Sequence, residues 1–294
     1  MKSTKNSGLP KTELATGKII SPSRIAAFLE CGEAHRLRYG EGIQARRPPP
    51  NDAAELGKKI HDAIEDQLIN GTWAPFGSRS ATPADAIASR AIRWLRKRFK
   101  TIEVAGTEFK VSADLPDTSL GAIGGQVDAL LRLDGKLVLI DWKTTKYLPQ
   151  DTLDLSHQTA AYLYCLREAG LKPDSAGLFY IRSEVPEIKY TAKGIVSKQS
   201  KLDHETIEQL RLDMKQTADW QSDFTAPVNW DMVDALVENM QVAIRNMKIE
   251  QPMHIRASTF GCMRCEFLPL CSAKLRGEDP SNLTKIFFET RTKR

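Results

Sequence analysis

The stretch Val138-Leu139-Ile140-Asp141-Trp142-Lys143-Thr144 places an acid and a lysine at the end of an otherwise apolar, β-like run. Alternate side chains of a strand share a face, so Asp141 and Lys143 are predicted to point the same way while Ile140 and Trp142 pack behind them. A carboxylate can hold Mg²⁺ or Mn²⁺, and a nearby ammonium can orient an attacking water and offset developing negative charge. The stretch therefore indicates a site that hydrolyses phosphodiester bonds.

A second carboxylate, that of Asp128, lies in the preceding β-like run, residues 125–133. Asp134-Gly135 between the two runs is a strong tight-turn signal, so the runs are predicted to form a hairpin. The hairpin brings Asp128 alongside the strand of Asp141, and hard divalent cations take several oxygen ligands. For a lone Asp-x-Lys pattern the alternative is a solvated surface pair, because such triplets are common.

Hydrophobic periodicity along the chain predicts an α/β fold. The β-like runs cover residues 108–111, 125–133, 136–143 and 177–182. Helical patterns follow a Ser21 cap and recur at residues 53–69, 84–99, 156–169, 204–220 and 230–247. The polar, Lys-rich residues 1–17 are predicted to form a mobile tail, and residues 277–294 a loosely held basic tail.

Two helical patterns carry polar side chains at a spacing of four residues, which puts them on one helix face. Gly57, His61 and Glu65 form the first set, and Gln158 and Tyr162 the second. Histidine is a good ligand for Mn²⁺-type ions, and a neutral amide can fix a water or a phosphate. The alternatives are an ordinary surface or core histidine and an ordinary packing stripe.

The composition is that of an ordinary globular protein. Of 294 residues, 41% are hydrophobic and 27% charged, the formal net charge is +5 and the pI is about 8.9. This mild basicity is compatible with a polyanionic partner but is too common to prove one. The longest apolar stretches, such as residues 137–140, are too short to span a bilayer, and residues 1–10 lack the apolar core of a signal peptide. We therefore expect a cytoplasmic protein with no membrane partner.

Taken in order, four motifs resemble those of the RecB-like branch of the PD-(D/E)XK nuclease superfamily. They are Gly57-x₃-His61-x₃-Glu65, Gly125-x-Val127-Asp128, Asp141-x-Lys143-Thr144 and Gln158-x₃-Tyr162. Val127 stands where the superfamily name has proline, a departure that is usual in this branch. The resemblance implies a restriction-endonuclease-like core, with a central mixed β-sheet flanked by helices, in one nuclease domain over residues 18–276.

The resemblance also implies roles for individual residues. His61, Asp128 and Asp141 would be metal ligands for Mg²⁺ or Mn²⁺, with the backbone carbonyl of Trp142 as a fourth. Lys143 would be the catalytic lysine. Supporting roles would fall to Gln158 and Tyr162.

The five cysteines indicate a metal centre rather than disulfides, since their number is odd and the expected compartment is reducing. Cys262-x₂-Cys265 can bind one metal with both thiolates, and Cys271 adds a third ligand. A closed thiolate site needs four ligands, and both Cys31 and Cys165 are available. Cys165 lies in an apolar helical pattern, where a buried free thiol is the ordinary expectation.

The same resemblance selects Cys31. Iron–sulfur members of the branch, including CRISPR-associated RecB-like nucleases and AddB-type helicase–nucleases, place one cysteine before the nuclease core and three after it in a Cys-x₂-Cys-x₅-Cys spacing. Gly32 follows the first cysteine here, where many members have proline. The resemblance, over roughly residues 21–275, thus implies a 4Fe–4S cluster that joins the N- and C-terminal segments, with structural zinc as the alternative.

Together these expectations predict a metal-dependent DNA nuclease, most simply an exonuclease. It would act in recombination or repair, phage replication or CRISPR adaptation. A protein of recombination or CRISPR adaptation would be its partner. One alternative is a non-catalytic DNA-binding protein that keeps the fold as a scaffold. Another is a zinc-binding interaction protein, which would explain the cysteines and leave the other motifs as coincidences.

Overall fold

The computed structural model describes residues 8–46, 52–70, 82–145, 156–182, 221–249, 259–263 and 265–290. The strands are β1 (Ile19–Ile20), β2 (Ile43–Ala45), β3 (Ile102–Asp114), β4 (Ala122–Leu133), β5 (Lys136–Thr145), β6 (Ser175–Arg182), β7 (Gln221–Pro227) and β8 (Phe288–Thr290). The α-helices are α1 (Pro22–Glu30), α2 (Gly32–His35), α3 (Asp52–Asn70), α4 (Pro83–Arg98), α5 (His157–Glu168), α6 (Trp230–Lys248), α7 (Thr259–Met263), α8 (Leu268–Leu275) and α9 (Ser281–Phe287). A π-helical turn spans Arg36–Gly40 and a 3₁₀ turn spans Thr118–Leu120.

Local sequence explains where several elements begin and turn. The Ser21 side chain accepts a hydrogen bond from the Arg24 N–H and caps α1. Thr82 and Asp85 form a reciprocal capping box at the start of α4. The β4–β5 turn has positive φ at both Asp134 (49°) and Gly135 (85°), as a two-residue type I′ hairpin requires. The predicted hairpin is confirmed.

One mixed sheet contains six of the strands, and β4 has three partners in it. Along one edge of β4, β3 pairs antiparallel from Ile102↔Leu133 to Asp114↔Ala122. Along the other edge, β1 pairs in parallel with the start of β4, and β5 pairs antiparallel with its end. β6 continues the sheet parallel to β5, and β7 runs antiparallel to β6. The predicted central mixed sheet is confirmed.

The middle of β4 has an uncovered edge between these two partners. β1 reaches no further than Ile123, and the pairing with β5 starts at Ala129↔Ile140. Within the described ranges no strand pairs with residues 124–128 on this side of β4. Asp128 and Asp141 lie beside this opening, because they are the neighbours of the Ala129↔Ile140 pair on its unpaired side.

Helices cover both faces of the sheet. On one face α3 and α4 pack Ile60, Ile64, Ile87 and Leu95 against a cluster that includes Leu131, Ile140, Trp142 and Phe179. On the other face α1, α5 and α6 pack over Val111, Ile123, Leu130 and Leu139. Burial of these side chains, at roughly 25 cal/mol per Å² of apolar surface, holds the layers together.

Residues 33–45 and the C-terminal segment, residues 266–290, meet outside the main sheet. β2 pairs antiparallel with β8, and the Phe267 and Phe288 rings stack at 5.7 Å beside a small core with Leu37. Two ion pairs cross the same junction, between Arg38 and Glu266 and between Lys274 and Glu33. The side chain of Glu33 is fully buried, so its pairing with cations matters to stability.

Parts of both predicted tails lie against the fold. Leu14 donates its N–H to Ser112, and Thr16 and Gly17 donate theirs to the Asp114 carboxylate, so these residues run beside β3. At the other end, residues 281–290 form α9 and β8. Short polar segments had given no sign of these partners, which lie far away in sequence. The predicted helix at residues 204–220 lies outside the described residues.

Candidate active site

Four elements bring the predicted catalytic and metal-binding residues to the opening beside β4. α3 carries His61, β4 carries Asp128, β5 carries Asp141, Trp142 and Lys143, and α5 carries Gln158 and Tyr162. β3 contributes one residue that sequence reasoning missed, Glu108. The site therefore lies at the sheet rather than on a surface loop.

Three ligand groups converge at the α3 side of the opening. One atom from each of His61, Glu108 and Asp128 lies within 4.8 Å of the other two, a spacing that suits one metal ion. The His61 Nδ1 atom is 3.7 Å from Asp128 Oδ2. Among the described residues, no other set of three or more His, Cys, Asp or Glu side chains brings its ligand atoms this close together. Imidazole and carboxylate donors suit Mn²⁺ and Mg²⁺.

The backbone of Glu108 has an unusual conformation at the point where its side chain joins this group. It lies across from Asp128, between the pairs Phe109↔Val127 and Thr107↔Ala129, and its φ is +45°. A glutamate in the left-handed region is strained, and such strain clusters at functional sites. A side-chain hydrogen bond from Gln126 to Glu108 Oε2 helps to hold the carboxylate in place.

The second half of the site is a hydrogen-bonded network between β5 and α5. The Lys143 Nζ atom lies 2.5 Å from Asp141 Oδ2 and donates to Gln158 Oε1 at 3.3 Å. The Gln158 amide donates to Asp141 Oδ1 at 3.4 Å and to the Tyr162 hydroxyl at 3.2 Å. As predicted, Asp141 and Lys143 share one face of the strand, and Gln158 and Tyr162 share one face of the helix.

One buried oxygen in this network is held by an ion pair alone. Among the described groups, Asp141 Oδ2 lies 2.5 Å from the Lys143 ammonium and accepts no hydrogen bond from any other donor. A buried carboxylate oxygen that faces a cation and no other donor has the surroundings of a metal ligand. The charges agree: the negative charges of Asp141 and Glu108 both raise the pKa of Asp128, and the Lys143 ammonium pairs with Asp141. A divalent cation would offset the excess negative charge.

The pKa values of the two nearest ligand groups are shifted by their surroundings. Burial raises the pKa of the Asp128 carboxyl, and the charge of Asp141 raises it further. Burial lowers the pKa of His61, which keeps the imidazole neutral near pH 7 and able to bind a metal. Both shifts follow from placing titratable groups in a poorly solvated cleft, a common property of active sites.

The backbone of Trp142 links the two carboxylate strands and acts on α3. Its N–H donates to Asp128 Oδ2 at 2.8 Å. The Trp142 backbone also acts on His61 in the direction that raises the pKa of the imidazole, as an accepting carbonyl does because it favours the protonated ring. Such a contact is compatible with the expected role of the Trp142 carbonyl.

Two close approaches hold the helices in position. A Cβ atom on Gly57 would lie 2.8 Å from Thr144 Oγ1, so a glycine allows α3 to sit directly on β5. One turn beyond His61, Glu65 Oε1 accepts a hydrogen bond from Thr107 at 3.0 Å. On the other side, a Cβ on Gly125 would lie 2.8 Å from the Tyr162 ring, so α5 likewise packs against bare backbone.

Burial raises the pKa of the Tyr162 phenol to about 12, so it stays protonated at neutral pH. A neutral hydroxyl that accepts from the Gln158 amide fixes which way that amide points. Tyr162 therefore orients Gln158.

Four cysteines lie near one another at the junction of the chain ends. Cys265 and Cys271 have raised thiol pKa values, that of Cys271 to about 11, chiefly through burial. The negative charge of Cys31 raises both pKa values further, and that of Cys262 also raises the pKa of Cys265. Within the described residues, no three of their sulfur atoms lie within 4.8 Å of one another, as the ligand atoms of the His61 group do. The donor set nevertheless fits a thiolate centre, since all four lie outside disulfides and are partly accessible.

Cys165 lies elsewhere. It is fully buried in the core, its Sγ donates to the Ile123 carbonyl at 3.5 Å, and burial raises its pKa to about 12. A thiol of this kind is inert. Its surroundings match the ordinary buried thiol considered from the sequence.

Glu108 was missed because the sequence shows only an acid at the start of a β-like run. Its approach to Asp128 depends on the register of β3 against β4, and the connection between them includes a 3₁₀ turn that hydrophobic periodicity does not resolve. The one available signal was the placement of Glu108 at the start of a predicted strand.

No described helix is both long enough and apolar enough to cross a membrane. No curated protein matches the chain at a significant level.

Among solved structures, two are similar to this chain. "Crystal structure of SSO0001" is 15% identical, with a TM-score of 0.36, and 90% of each chain is covered. A protein from Eubacterium rectale, provisionally named an exonuclease, is 12% identical with a TM-score of 0.43, and the alignment covers 84% of this chain and 88% of that one. Both TM-scores are below 0.5, so neither likeness supports a conclusion about activity.

A sequence model of the PD-(D/E)XK nuclease superfamily matches residues 19–272. The matched span contains the ligand group, the Lys143 network and all five cysteines. The α/β architecture, with its mixed sheet flanked by helices, is that of the superfamily. This chain belongs to the PD-(D/E)XK nuclease superfamily.

Proposed function

We propose that the chain is a Mg²⁺- or Mn²⁺-dependent deoxyribonuclease of the RecB-like branch, acting as an exonuclease. The observation that carries this proposal is the convergence of His61, Glu108 and Asp128 beside the Asp141–Lys143 pair. We expect Asp141 and the Trp142 carbonyl to complete the ligand set, since Asp141 Oδ2 is buried and, among the described groups, faces only the Lys143 ammonium. A non-catalytic scaffold would have no need to keep these groups together.

The protein residues divide the work of hydrolysis. A bound divalent cation supplies polarisation of the phosphate and lowers the pKa of the attacking water. Lys143, whose side chain is about one-third exposed, can turn from Asp141 towards the substrate and offset charge on the phosphate. Gln158, held by Tyr162, can fix the position of the water or a phosphate oxygen.

Glu108 provides the sharpest test, because the sequence did not reveal it. We expect Glu108→Gln to reduce Mn²⁺-dependent cleavage of linear DNA by on the order of a hundredfold, through weaker metal binding. Glu238→Gln, an exposed glutamate on α6, is the matched control and should cleave like the wild type. Metal affinity is measured in parallel by calorimetry. Wild-type cleavage by Glu108→Gln would remove Glu108 from the site, and no cleavage by the wild type with either metal would end the proposal.

The substrate and its ends can be tested directly. An exonuclease degrades linear DNA from its termini and leaves covalently closed circles intact. Cleavage of relaxed circular DNA at the same rate would make the enzyme an endonuclease instead. DNA as substrate, and a role in recombination or repair, phage replication or CRISPR adaptation with a partner from those systems, are part of the same proposal.

For the cysteines we propose a 4Fe–4S cluster held by Cys31, Cys262, Cys265 and Cys271, with structural zinc as the alternative. A cytoplasmic location, where thiols stay reduced, suits both. An anaerobically purified protein with broad absorption in the ~400 nm region would carry iron–sulfur, because zinc has a filled d shell. A colourless protein with one equivalent of zinc would favour the alternative.

A further inference from the structure

We propose that a cavity beside the start of β4 binds a phosphate group, carried by a DNA strand or by a free nucleotide. The cavity has a volume of about 350 Å³ and lies between residues 17–20, the 3₁₀ turn and the end of α6. It is separate from the candidate active site and shares no residue with it. As a site for a DNA strand, it rests on the proposed function.

The charged side chains that line the cavity are all cationic. Lys18, Arg24 and Lys248 come from three different segments, and no carboxylate is among the lining residues. Cations converging from separate segments attract an anion, and phosphate takes hydrogen bonds from ammonium and guanidinium groups. Thr118 lies on the same wall, and its hydroxyl group is a further donor.

The nearby acids have partners of their own. Asp114 accepts hydrogen bonds from the backbone N–H groups of Thr16 and Gly17. Asp117 pairs with Arg245 at 3.1 Å and accepts from Ser119. The surroundings thus add two negative charges and one positive charge to the three cations of the wall, which leaves a net positive site.

The turn that forms one wall is fixed in advance. The buried Gln241 side chain on α6 accepts from the Asp117 N–H at 2.9 Å. Lys248 Nζ donates to the Ser119 carbonyl at 2.8 Å, which aims its ammonium at the turn. Gly121, with a φ of +100°, lets the turn approach residue 18 closely, since a Cβ there would lie 2.7 Å from the Lys18 carbonyl. A wall that needs no rearrangement loses little entropy on binding.

The remaining lining is apolar. Ile20, Leu120, Ile244 and Met247 give the cavity a wall against which a sugar or base can pack. A small inorganic anion would gain nothing from that wall. The combination therefore points to a phosphate that carries a nucleoside.

The position of the cavity fits a strand that also reaches the active site. Ala122 starts β4 and Asp128 lies on the same strand, which at ~3.3 Å per residue puts the two sites roughly 20 Å apart. In duplex DNA each strand rises 3.4 Å per nucleotide along the helix axis, so that distance corresponds to about six steps of a duplex. A strand of more than about six nucleotides is long enough to reach from one site to the other.

The test measures binding with the metal removed by chelator, so that cleavage plays no part. The variant combines Lys18→Gln with Lys248→Gln, which are both exposed, and Arg24 is left intact because its Nε atom donates to His35. Lys172→Gln, an exposed lysine elsewhere, is the control. The probes are a 12-nucleotide single strand, dAMP and inorganic phosphate. Thermal unfolding verifies that the variants fold.

If a strand phosphate is bound, the double variant should bind the 12-mer about tenfold or more weakly, with a salt slope smaller by about two, while the control is unchanged. If the cavity takes a free nucleotide, the wild type binds dAMP more tightly than phosphate and the double variant loses that binding. Wild-type affinity of the folded double variant for both nucleic-acid probes overturns the proposal, as does a wild type that binds neither. Binding that depends on the lysines in a protein without nuclease activity would keep this site and reject the proposed function.

Discussion

The candidate active site and the cysteine cluster differ in how their ligands are supported. His61, Glu108, Asp128 and Asp141 stand on long elements that strand pairing and core packing hold whether or not a metal is bound. The cysteines lie on or between short helices where residues 31–45 meet the C-terminal segment. The first set of residues depends on the fold for its position, whereas we expect a metal bound by the cysteines to stabilise the fold. Metal loss should therefore have different structural consequences at the two places.

The largest expected effect is at the cysteines. Cys31→Ser should lose the bound metal and several kcal/mol of stability, because ligand binding at a structural thiolate site, typically about 10 kcal/mol for zinc, is folding energy. Cys165→Ser should keep its metal, with only a modest packing and polarity penalty. Metal content and denaturant unfolding are measured for both variants and for Cys262, Cys265 and Cys271. Full metal content in Cys31→Ser together with metal loss in Cys165→Ser would reverse the assignment of the fourth ligand.

At the active site we expect activity and stability to separate. Asp128→Asn should lower cleavage by about a thousandfold, or ~4 kcal/mol, since a metal-binding charge is lost. Without metal, however, its stability should equal or slightly exceed that of the wild type, because the buried Asp128 carboxylate is disfavoured by burial and by Asp141. Cleavage rate and unfolding in chelator are the two measurements. A strongly destabilised Asp128→Asn would mean that this site, too, supports the fold.

The junction that carries Cys31 should be sensitive to acid. Burial, aided by the charge of Arg24, lowers the pKa of His35 to about 4, and its Nε2 accepts a hydrogen bond from Arg24. The unfolded chain binds a proton near pH 6.5 that the folded chain does not, so stability falls as the pH drops from about 6.5 towards 4. The loss between pH 7 and 5 is about 2 kcal/mol.

Denaturant unfolding at the two pH values, with His35→Gln beside the wild type, tests this expectation. The variant should lose most of the pH dependence. An equal loss in both proteins would assign the acid sensitivity to other groups.

The smallest expected effect concerns the basic end of α4. Arg96 and Lys97 are exposed there, and if they contact DNA phosphates, each charge removed should reduce the salt slope of DNA binding by about one. Arg98 already lies over the Trp94 ring at 5.6 Å and is less available. Unchanged slopes in Arg96→Gln and Lys97→Gln would make this a solvated helix face.

The sequence predicted correctly those side-chain pairs whose positions depend on the spacing of residues within one helix or strand. The pairs Asp141–Lys143 and Gln158–Tyr162 share faces because strands and helices have fixed periods, and the Asp134-Gly135 turn set the β4–β5 register. It missed Glu108, whose position depends on the β3–β4 register and on a strained backbone. It also missed the supports at both ends of the described chain. Those supports depend on partners about a hundred or more residues away, which local patterns do not encode.

The pairing of β2 with β8 has a consequence for biosynthesis. Arg46 hydrogen-bonds to Phe288, 242 residues further along the chain. At roughly 5–20 residues per second, a ribosome takes on the order of 10–50 s to produce the second strand after the first. During that interval β2 lacks its partner strand, and its unpaired backbone edge is available to pair with another molecule.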